Sequence, residues 1–509
     1  MISRRDVLSA GGLVGLVGAT GHAHAGSARP GKSFSLWRTR VAPGRNYTSG
    51  LTRALDADLG FIDVPADHEV PHLATFRLRF ARFRSRAGAG GLPLFFLYGG
   101  PHAPGDLWSY LDAGEDQLAF TCLVGTVTEH ADLVVIDHRG GLGCAYPKLP
   151  ALPVREPMPF GRRVELDERE EHYRRFFQKQ IDYWREAGVD LRHMRTPQLA
   201  RDIEMIRLAL GYDKIRLSGL SNGTYRIREY LRQFHHQVDS ALLFISHGYQ
   251  KLPVQGFISA ALSRIDAAVA ADPDANRFVP SLRGLLDELS ARLERSPVKT
   301  TVTSERGEVI ELELDHHDLA VYFWHLFGNS DDIRAAPAKL WTLYKKGDYG
   351  DLARVAWQAR DLGSQGAESY VAAFAGSSMP SAAEVAANRR QAGNSIYLNR
   401  QGEGGESSCA WPLDRDGHAP FVHRVPVTYV QGEWDLRTPV EGVRALGETT
   451  AKILVNPAMG HQGFLHHGAL ADGGSVFWPR EVFEAFLTGG EPAPYGAFTR
   501  SFASPLFQT

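Results

Sequence analysis

Ile215-Arg216-Leu217-Ser218-Gly219-Leu220-Ser221-Asn222-Gly223-Thr224-Tyr225 is the stretch whose reading decides the fold. Residues 215–217 read as a short strand, and residues 225–234 as an amphipathic helix starting near Thr224. The pattern Gly219-Leu220-Ser221-Asn222-Gly223 therefore falls on a tight strand-to-helix turn. A serine at such a turn sits in a strained backbone conformation, and the flanking glycines avoid steric clashes. The turn lifts the hydroxyl clear of the sheet and points a helix N-terminus at it. Alone, G-x-S-x-G is a weak signal; its strand–turn–helix setting gives it weight.

Working outward, residues 94–97 and 133–136 are continuous apolar runs, the signature of parallel strands buried on both faces. Residues 73–83 alternate, with Phe76, Leu78 and Phe80 on one face and Arg77 and Arg79 on the other. The alternation slips at Ala81, and a β-bulge there would account for Arg82 and Arg84 continuing in the opposite phase. Thr196-Pro197 supplies an N-cap and a first-turn proline for a helix carrying Leu199, Ile203, Ile206 and Leu210. Strand, helix and strand in alternation predict an α/β sheet. Beyond His247 the rhythm changes. Leu282, Leu285, Leu286, Leu289 and Leu293 form a helical stripe, residues 298–314 read as a hairpin, and helix-like sequence continues to about Gln391. The α/β rhythm resumes at residues 425–430 and 452–455 and ends in a helix around 480–487. A helical block between two halves of one sheet is an insertion, so the expected organisation is a core at 26–249 and 421–509 with a cap at 250–420.

A serine nucleophile needs a base, an orienting acid and an oxyanion hole. With the serine on such a turn, the expected chain order is Ser, then Asp or Glu, then His. Asp435 lies in Gly432-Glu433-Trp434-Asp435-Leu436-Arg437-Thr438-Pro439, just past one predicted strand, and His461 follows the next in Gly460-His461-Gln462-Gly463. Both would sit at strand C-terminal ends, where α/β sheets gather their active groups. Glu433 competes with Asp435, which could instead cap a helix, and His466 and His467 compete with His461. The oxyanion hole is expected to take the amides of Asn222 and of Gly100, the latter in the glycine-rich turn Tyr98-Gly99-Gly100-Pro101. Asp315-His316-His317-Asp318 could be read as metal ligands, but adjacent residues at a strand end point apart, and a solvated turn is expected. No phosphate-binding loop or dinucleotide fingerprint accompanies the glycines, so no cofactor or metal is expected.

Composition narrows the partners. Among 509 residues, 56 basic against 58 acidic give a net charge of −2, without the bulk field that nucleic acid or an anionic membrane would attract. One α/β core takes roughly 250–300 residues, which leaves about two hundred for other roles. Arg4-Arg5, a weakly apolar segment and Ala23-His24-Ala25 resemble a twin-arginine export signal spanning residues 1–25. The expected location is periplasmic or secreted, with no stable membrane insertion. Cys122, Cys144 and Cys409 are too few for a disulfide framework and show no zinc spacing.

Gly99-Gly100-Pro101 with Gly105 resembles the H-G-G-P-G loop of the proline iminopeptidase and tripeptidyl aminopeptidase family. Asp137-His138-Arg139-Gly140 resembles that family's D-x-R-G-x-G-x-S segment. Gly60-Phe61-Ile62-Asp63-Val64-Pro65, Asp202-Ile203-Glu204, the elbow with Thr224-Tyr225, and the G-x-x-D-x-x-T-P segment are similar as well. Tyr98 stands where proline iminopeptidases have His, Cys144 takes the usual Ser position, and Asn222 replaces the common aromatic residue. The resemblance implies an α/β-hydrolase fold, a mostly parallel sheet flanked by helices with a large, mainly helical cap inserted before the Asp strand. It further implies a serine peptidase that releases N-terminal residues or short peptides. An esterase or amidase acting on small esters or amides is the alternative. A silent scaffold would be expected to have lost a triad member, and none is lost here.

Overall fold

The structure, a computed structural model, describes residues 34–41, 55–72, 74–88, 91–99, 116–137, 139, 156–188, 190–248, 255–304, 307–328, 330–361, 382–392, 395, 421–461, 479–494, 501–502 and 504–507. Among these, nine strands form one sheet: β1 (Phe34–Val41), β2 (Leu55–Pro65), β3 (Thr75–Phe83), β4 (Leu94–Leu97), β5 (Leu133–Ile136), β6 (Ile215–Leu220), β7 (Val238–Phe244), β10 (Val427–Gly432) and β11 (Ala451–Asn456). A separate hairpin pairs β8 (Val298–Thr303) with β9 (Val309–Leu314). The spatial order β1-β2-β3-β5-β4-β6-β7-β10-β11 runs parallel from β5 to β11, with antiparallel pairs at the β1 edge. The swap of β4 and β5 and the elbow after β6 make this the α/β-hydrolase fold.

The apolar runs occupy the sheet centre because both faces are covered. Phe95 and Leu97 of β4 enter one core with Val134 and Ile136 of β5, while Leu94, Phe96, Leu133 and Val135 enter the opposite one. Helices Leu166–Glu186, Thr196–Ala209 and Asn222–Phe234 cover the first face through Phe177, Trp184, Ile203, Ile206 and Tyr230. Helices Asp116–Val127 and Arg480–Thr488 cover the second through Leu123, Val127, Val482 and Phe483. Each such fully buried large side chain stabilises the sheet by about 1.5–3 kcal/mol relative to exposure.

Double coverage also corrects the expected bulge. β3 pairs without a break, Phe80 with Gly60 and Ile136, Ala81 with Leu59 and Val135, and Arg82 with Asp58 and Val134. Arg82 keeps the phase of Phe76, Leu78 and Phe80, held by its ion pair with Asp58 at 2.7 Å. Ala81 and Phe83 are apolar because they meet the second core. The 196–209 helix begins at Thr196 itself, with Arg195 in the capping position and no side-chain cap bond. The helix after the elbow starts at Asn222 and is buried through Leu231, so its polar residues do not mark a solvated face.

Between β7 and β10 the described residues are mainly helical. Helices Gln255–Ala271, Leu282–Arg295, His316–Leu326, Ser330–Lys346, Gly350–Arg360 and Ala382–Ala392 accompany the hairpin. They share a third apolar core, built on the predicted stripe of Leu282, Leu285, Leu286, Leu289 and Leu293. No helix among the described residues is long and apolar enough to cross a membrane.

Candidate active site

Ser221 joins β6 to its helix with φ 48° and ψ −123°, a conformation that costs a non-glycine residue of order 1–3 kcal/mol. Neighbours hold it there. The Ser221 amide donates to the Phe244 carbonyl at 3.0 Å, and the Ser221 carbonyl accepts from the Thr224 amide at 2.9 Å and hydroxyl at 2.6 Å. Gly223 permits the turn to press on β4: a Cβ there would lie 2.3 Å from the Leu97 carbonyl oxygen. Asn222 is the first residue of the helix, so the amide dipoles are aimed toward the serine.

The structure brings the three predicted residues into one chain of contacts. Ser221 Oγ lies 3.0 Å from His461 Nε2, and His461 Nδ1 lies 3.0 Å from Asp435 Oδ2. They come from the C-terminal ends of β6, β11 and β10, which places them at one end of the sheet. With the carboxylate accepting at Nδ1, the imidazole carries its proton there and leaves Nε2 to accept from the serine. Burial alone would raise the Asp435 carboxyl. The electrostatic interaction with the facing imidazole and the hydrogen bonds from His461 and Thr438 outweigh that and hold it below the ordinary carboxylate range.

The turn around Asp435 explains how a fully buried carboxylate is satisfied. Its Oδ1 accepts the amides of Arg437 at 2.8 Å and Thr438 at 2.9 Å, and the Thr438 hydroxyl donates to Oδ2. The capping role weighed against catalysis is thus present in local form, on Oδ1, which also lies 3.2 Å from His461 Nδ1. Glu433, the rival acid, does not meet His461; its Oε2 accepts the Ala458 amide at 2.9 Å. Gly432 lets these two loops close, since a Cβ there would stand 2.2 Å from the Met459 carbonyl oxygen. Gln431, fully buried, accepts the Ser246 amide at 2.6 Å and donates to the Thr438 carbonyl at 3.0 Å, tying the end of β7 to the acid turn. The Ser246 hydroxyl reaches Thr224 beneath the elbow at 3.0 Å. Sequence reading passed over Gln431 and Ser246. Thr438 was visible in the T-P pair, where its spacing of three from Asp435 is that of a side chain folding back on a turn.

Several expectations lie elsewhere. Gly100, His466, His467, Cys144 and Cys409 are outside the described residues. Asp315-His316-His317-Asp318 is not a solvated turn, because all four residues are buried. Asp315 and Asp318 form a capping box for helix His316–Leu326, and both are ion-paired at 3.0 Å to the buried Arg169, with Arg360 against Asp318. Burial, helped by the Arg169 and His316 charges, pushes His317 down to about 3. The pair of carboxylates is thus occupied by guanidinium groups. Among the described residues, the ligand-type atoms that converge are those of Glu129, His130 and Glu484, and Arg480 already bridges the two glutamates.

No family model matches the chain. Over 178 residues it is 28% identical to a protein named tripeptidyl aminopeptidase from Streptomyces coelicolor, covering 33% of this chain and 30% of that protein. A protein of the same name from Streptomyces lividans is 26% identical over 184 residues, covering 33% and 31%. The match therefore spans under a third of the length of these curated relatives. Among solved structures, a proline iminopeptidase-related protein from Thermus thermophilus aligns with 16% identity and TM-score 0.33, over 80% of this chain and 91% of that one. A thermophilic esterase from Thermogutta terrifontis aligns with 14% identity and TM-score 0.30, over 79% and 91%.

Proposed function

We propose that the protein is a serine hydrolase acting by acyl transfer, with short peptides cleaved from the amino terminus as its substrates. The observation that carries the reading is the Ser221–His461–Asp435 chain at the C-terminal ends of β6, β11 and β10. Ser221 Oγ attacks the substrate carbonyl carbon while its proton passes to His461 Nε2. The oxyanion is received by the Asn222 amide, with Gly100 as the second donor the sequence suggests. Collapse breaks the bond to the leaving group, which takes the proton back from His461. Water then repeats the steps and frees Ser221. Asp435 orients the imidazole and balances its charge. The peptide assignment is supported by the names of the two Streptomyces relatives and by the motifs around Gly99, Asp137 and Asp435.

The test is an assay of the purified protein and Ser221→Ala on aminoacyl- and peptidyl-anilides beside short-chain nitrophenyl esters. Anilide cleavage lost in the variant is the expected result. Activity on esters alone would replace the peptidase by an esterase, and full activity in the variant would remove Ser221 from the mechanism. Export by the Arg4-Arg5 segment is part of the same proposal. Arg4→Lys with Arg5→Lys is expected to retain the enzyme inside cells, read by fractionation; unchanged secretion would refute it.

A further inference from the structure

Of the residues beside Asp435 and His461, Met459 packs on the sheet that carries them, but others turn away from it. Trp434 and Leu436, which flank the acid, and Ala458, just before Met459-Gly460-His461, are buried in the third apolar core, the one made by the helices between β7 and β10. Polar contacts follow the same path. Ser330, 2% exposed at the start of helix Ser330–Lys346, accepts the Gly460 amide at 2.9 Å, immediately before His461. Arg264, on helix Gln255–Ala271, donates Nε to the Glu433 carbonyl at 2.9 Å and Nη1 to Glu441 Oε1 at 2.6 Å. It therefore brackets the turn that holds Asp435 from both sides. The Arg437 guanidinium also lies against the block, so that a Cβ on Gly328 would come within 2.8 Å of its Nη2.

These contacts act on backbone rather than on reacting atoms. Ser330 fixes the amide preceding the base, and Arg264 fixes the Glu433 carbonyl and the Glu441 side chain on either side of the acid. The Asp435–His461 contacts of 3.0 and 3.2 Å join two such loops, and loops of this kind shift when their outer supports are removed. Resting on the serine-hydrolase reading above, we propose that the block between β7 and β10 is a structural part of the catalytic apparatus. Arg264 and Ser330 are its positioning residues, and they make the reactivity of Ser221 depend on the seating of the block. A block that only selected substrates would change affinity and leave the serine equally reactive toward a small reagent.

A fluorophosphonate label separates the two cases, because phosphonylation joins Ser221 Oγ to phosphorus and expels fluoride with no peptide to bind. Full-length wild type, Arg264→Gln and Ser330→Ala are compared for labelling rate, its pH profile, and kcat and KM on a peptidyl-anilide. Labelling and kcat are expected to fall on the order of ten- to a hundredfold in either variant, with KM little changed and the pH profile displaced. Ser330→Thr, which restores the hydroxyl, is expected to recover most of the rate. Wild-type labelling rates in both variants, with only KM raised, would overturn the proposal. An unlabelled wild type would instead defeat the serine-hydrolase reading itself. Where circular dichroism shows that Arg264→Gln has lost its fold, Glu441→Gln, which weakens the bracket on one side only, is judged by the same two outcomes.

Discussion

The Thr438 hydroxyl donates to Asp435 Oδ2, and the hydroxyl oxygen itself lies 3.1 Å from His461 Nδ1. Thr438 thereby joins the contact between acid and base from a buried position. A hydrogen bond to a charged partner contributes roughly 1.5–3 kcal/mol, and leaving a buried carboxylate oxygen short of a donor costs a similar amount. Thr438→Val keeps the shape and removes the donor. It is expected to lower kcat by about ten- to a hundredfold with KM unchanged, while Thr438→Ser keeps most activity. Steady-state kinetics on an anilide substrate check both.

Asp435→Asn tests the tautomer. An amide nitrogen facing Nδ1 would favour protonation at Nε2, and that nitrogen could no longer accept the Ser221 proton at 3.0 Å. The expected loss is roughly four orders of magnitude in kcat, with the fold retained. Asp435→Asn at near wild-type rate would mean that Asp435 serves its turn and not the base.

Gly223→Ala tests the elbow sterically. Its new Cβ would meet backbone oxygens of Leu97 and Tyr98 at 2.3 and 2.6 Å, and neither can rotate away. Either β4 or the helix must shift, a strain on the order of 3 kcal/mol. A lowered thermal midpoint together with loss of fluorophosphonate labelling is expected. A substitution with neither effect would contradict the close packing of the elbow on β4.

The parts of the fold legible in the sequence were those governed by local pattern. Leu94–Leu97 and Leu133–Ile136 are apolar without interruption because both sheet faces are covered, and the elbow is set by consecutive residues. The misreadings have one physical origin. Alternation predicts strand faces only when one face is wet, so the switch at Ala81 imitated a bulge when a second core had begun. Asp315-His316-His317-Asp318 looked solvated because its neutralising partners, Arg169 and Arg360, lie far away in the chain. Residues 241–244 of β7 carry the same uninterrupted apolar run, whereas the roles of Gln431 and Ser330 carried no sequence signature, since each depends on which segments meet in space. Ser221, Asp435 and His461 could be nominated because the order and spacing of their motifs are local. Of the turn that tightens them, only the spacing of Thr438 from Asp435 is visible in the sequence.

The buried cluster of Asp315, Asp318, Arg169 and Arg360 gives a prediction with a definite pH sign. Burial would raise the Asp318 carboxyl, but the Arg169 and Arg360 charges on either side outweigh it and hold it below the ordinary range. In the unfolded chain an aspartate titrates near about 3.9. Above that pH both states are ionised, and the full contribution of the lowered carboxyl is present. As pH falls below it, the unfolded chain takes up its proton first, and the contribution is lost through the folded value. Asp318→Asn is therefore expected to destabilise the protein most at neutral pH, by about 3 kcal/mol or more, because two buried guanidinium groups then share one carboxylate. The gap from wild type should narrow as pH falls below about 4. Urea unfolding of both proteins at about pH 7 and about pH 3.5, on either side of the unfolded-state value, checks this. A gap that stayed constant or widened on acidification would mean that Asp318 is not held as an ion in the folded chain.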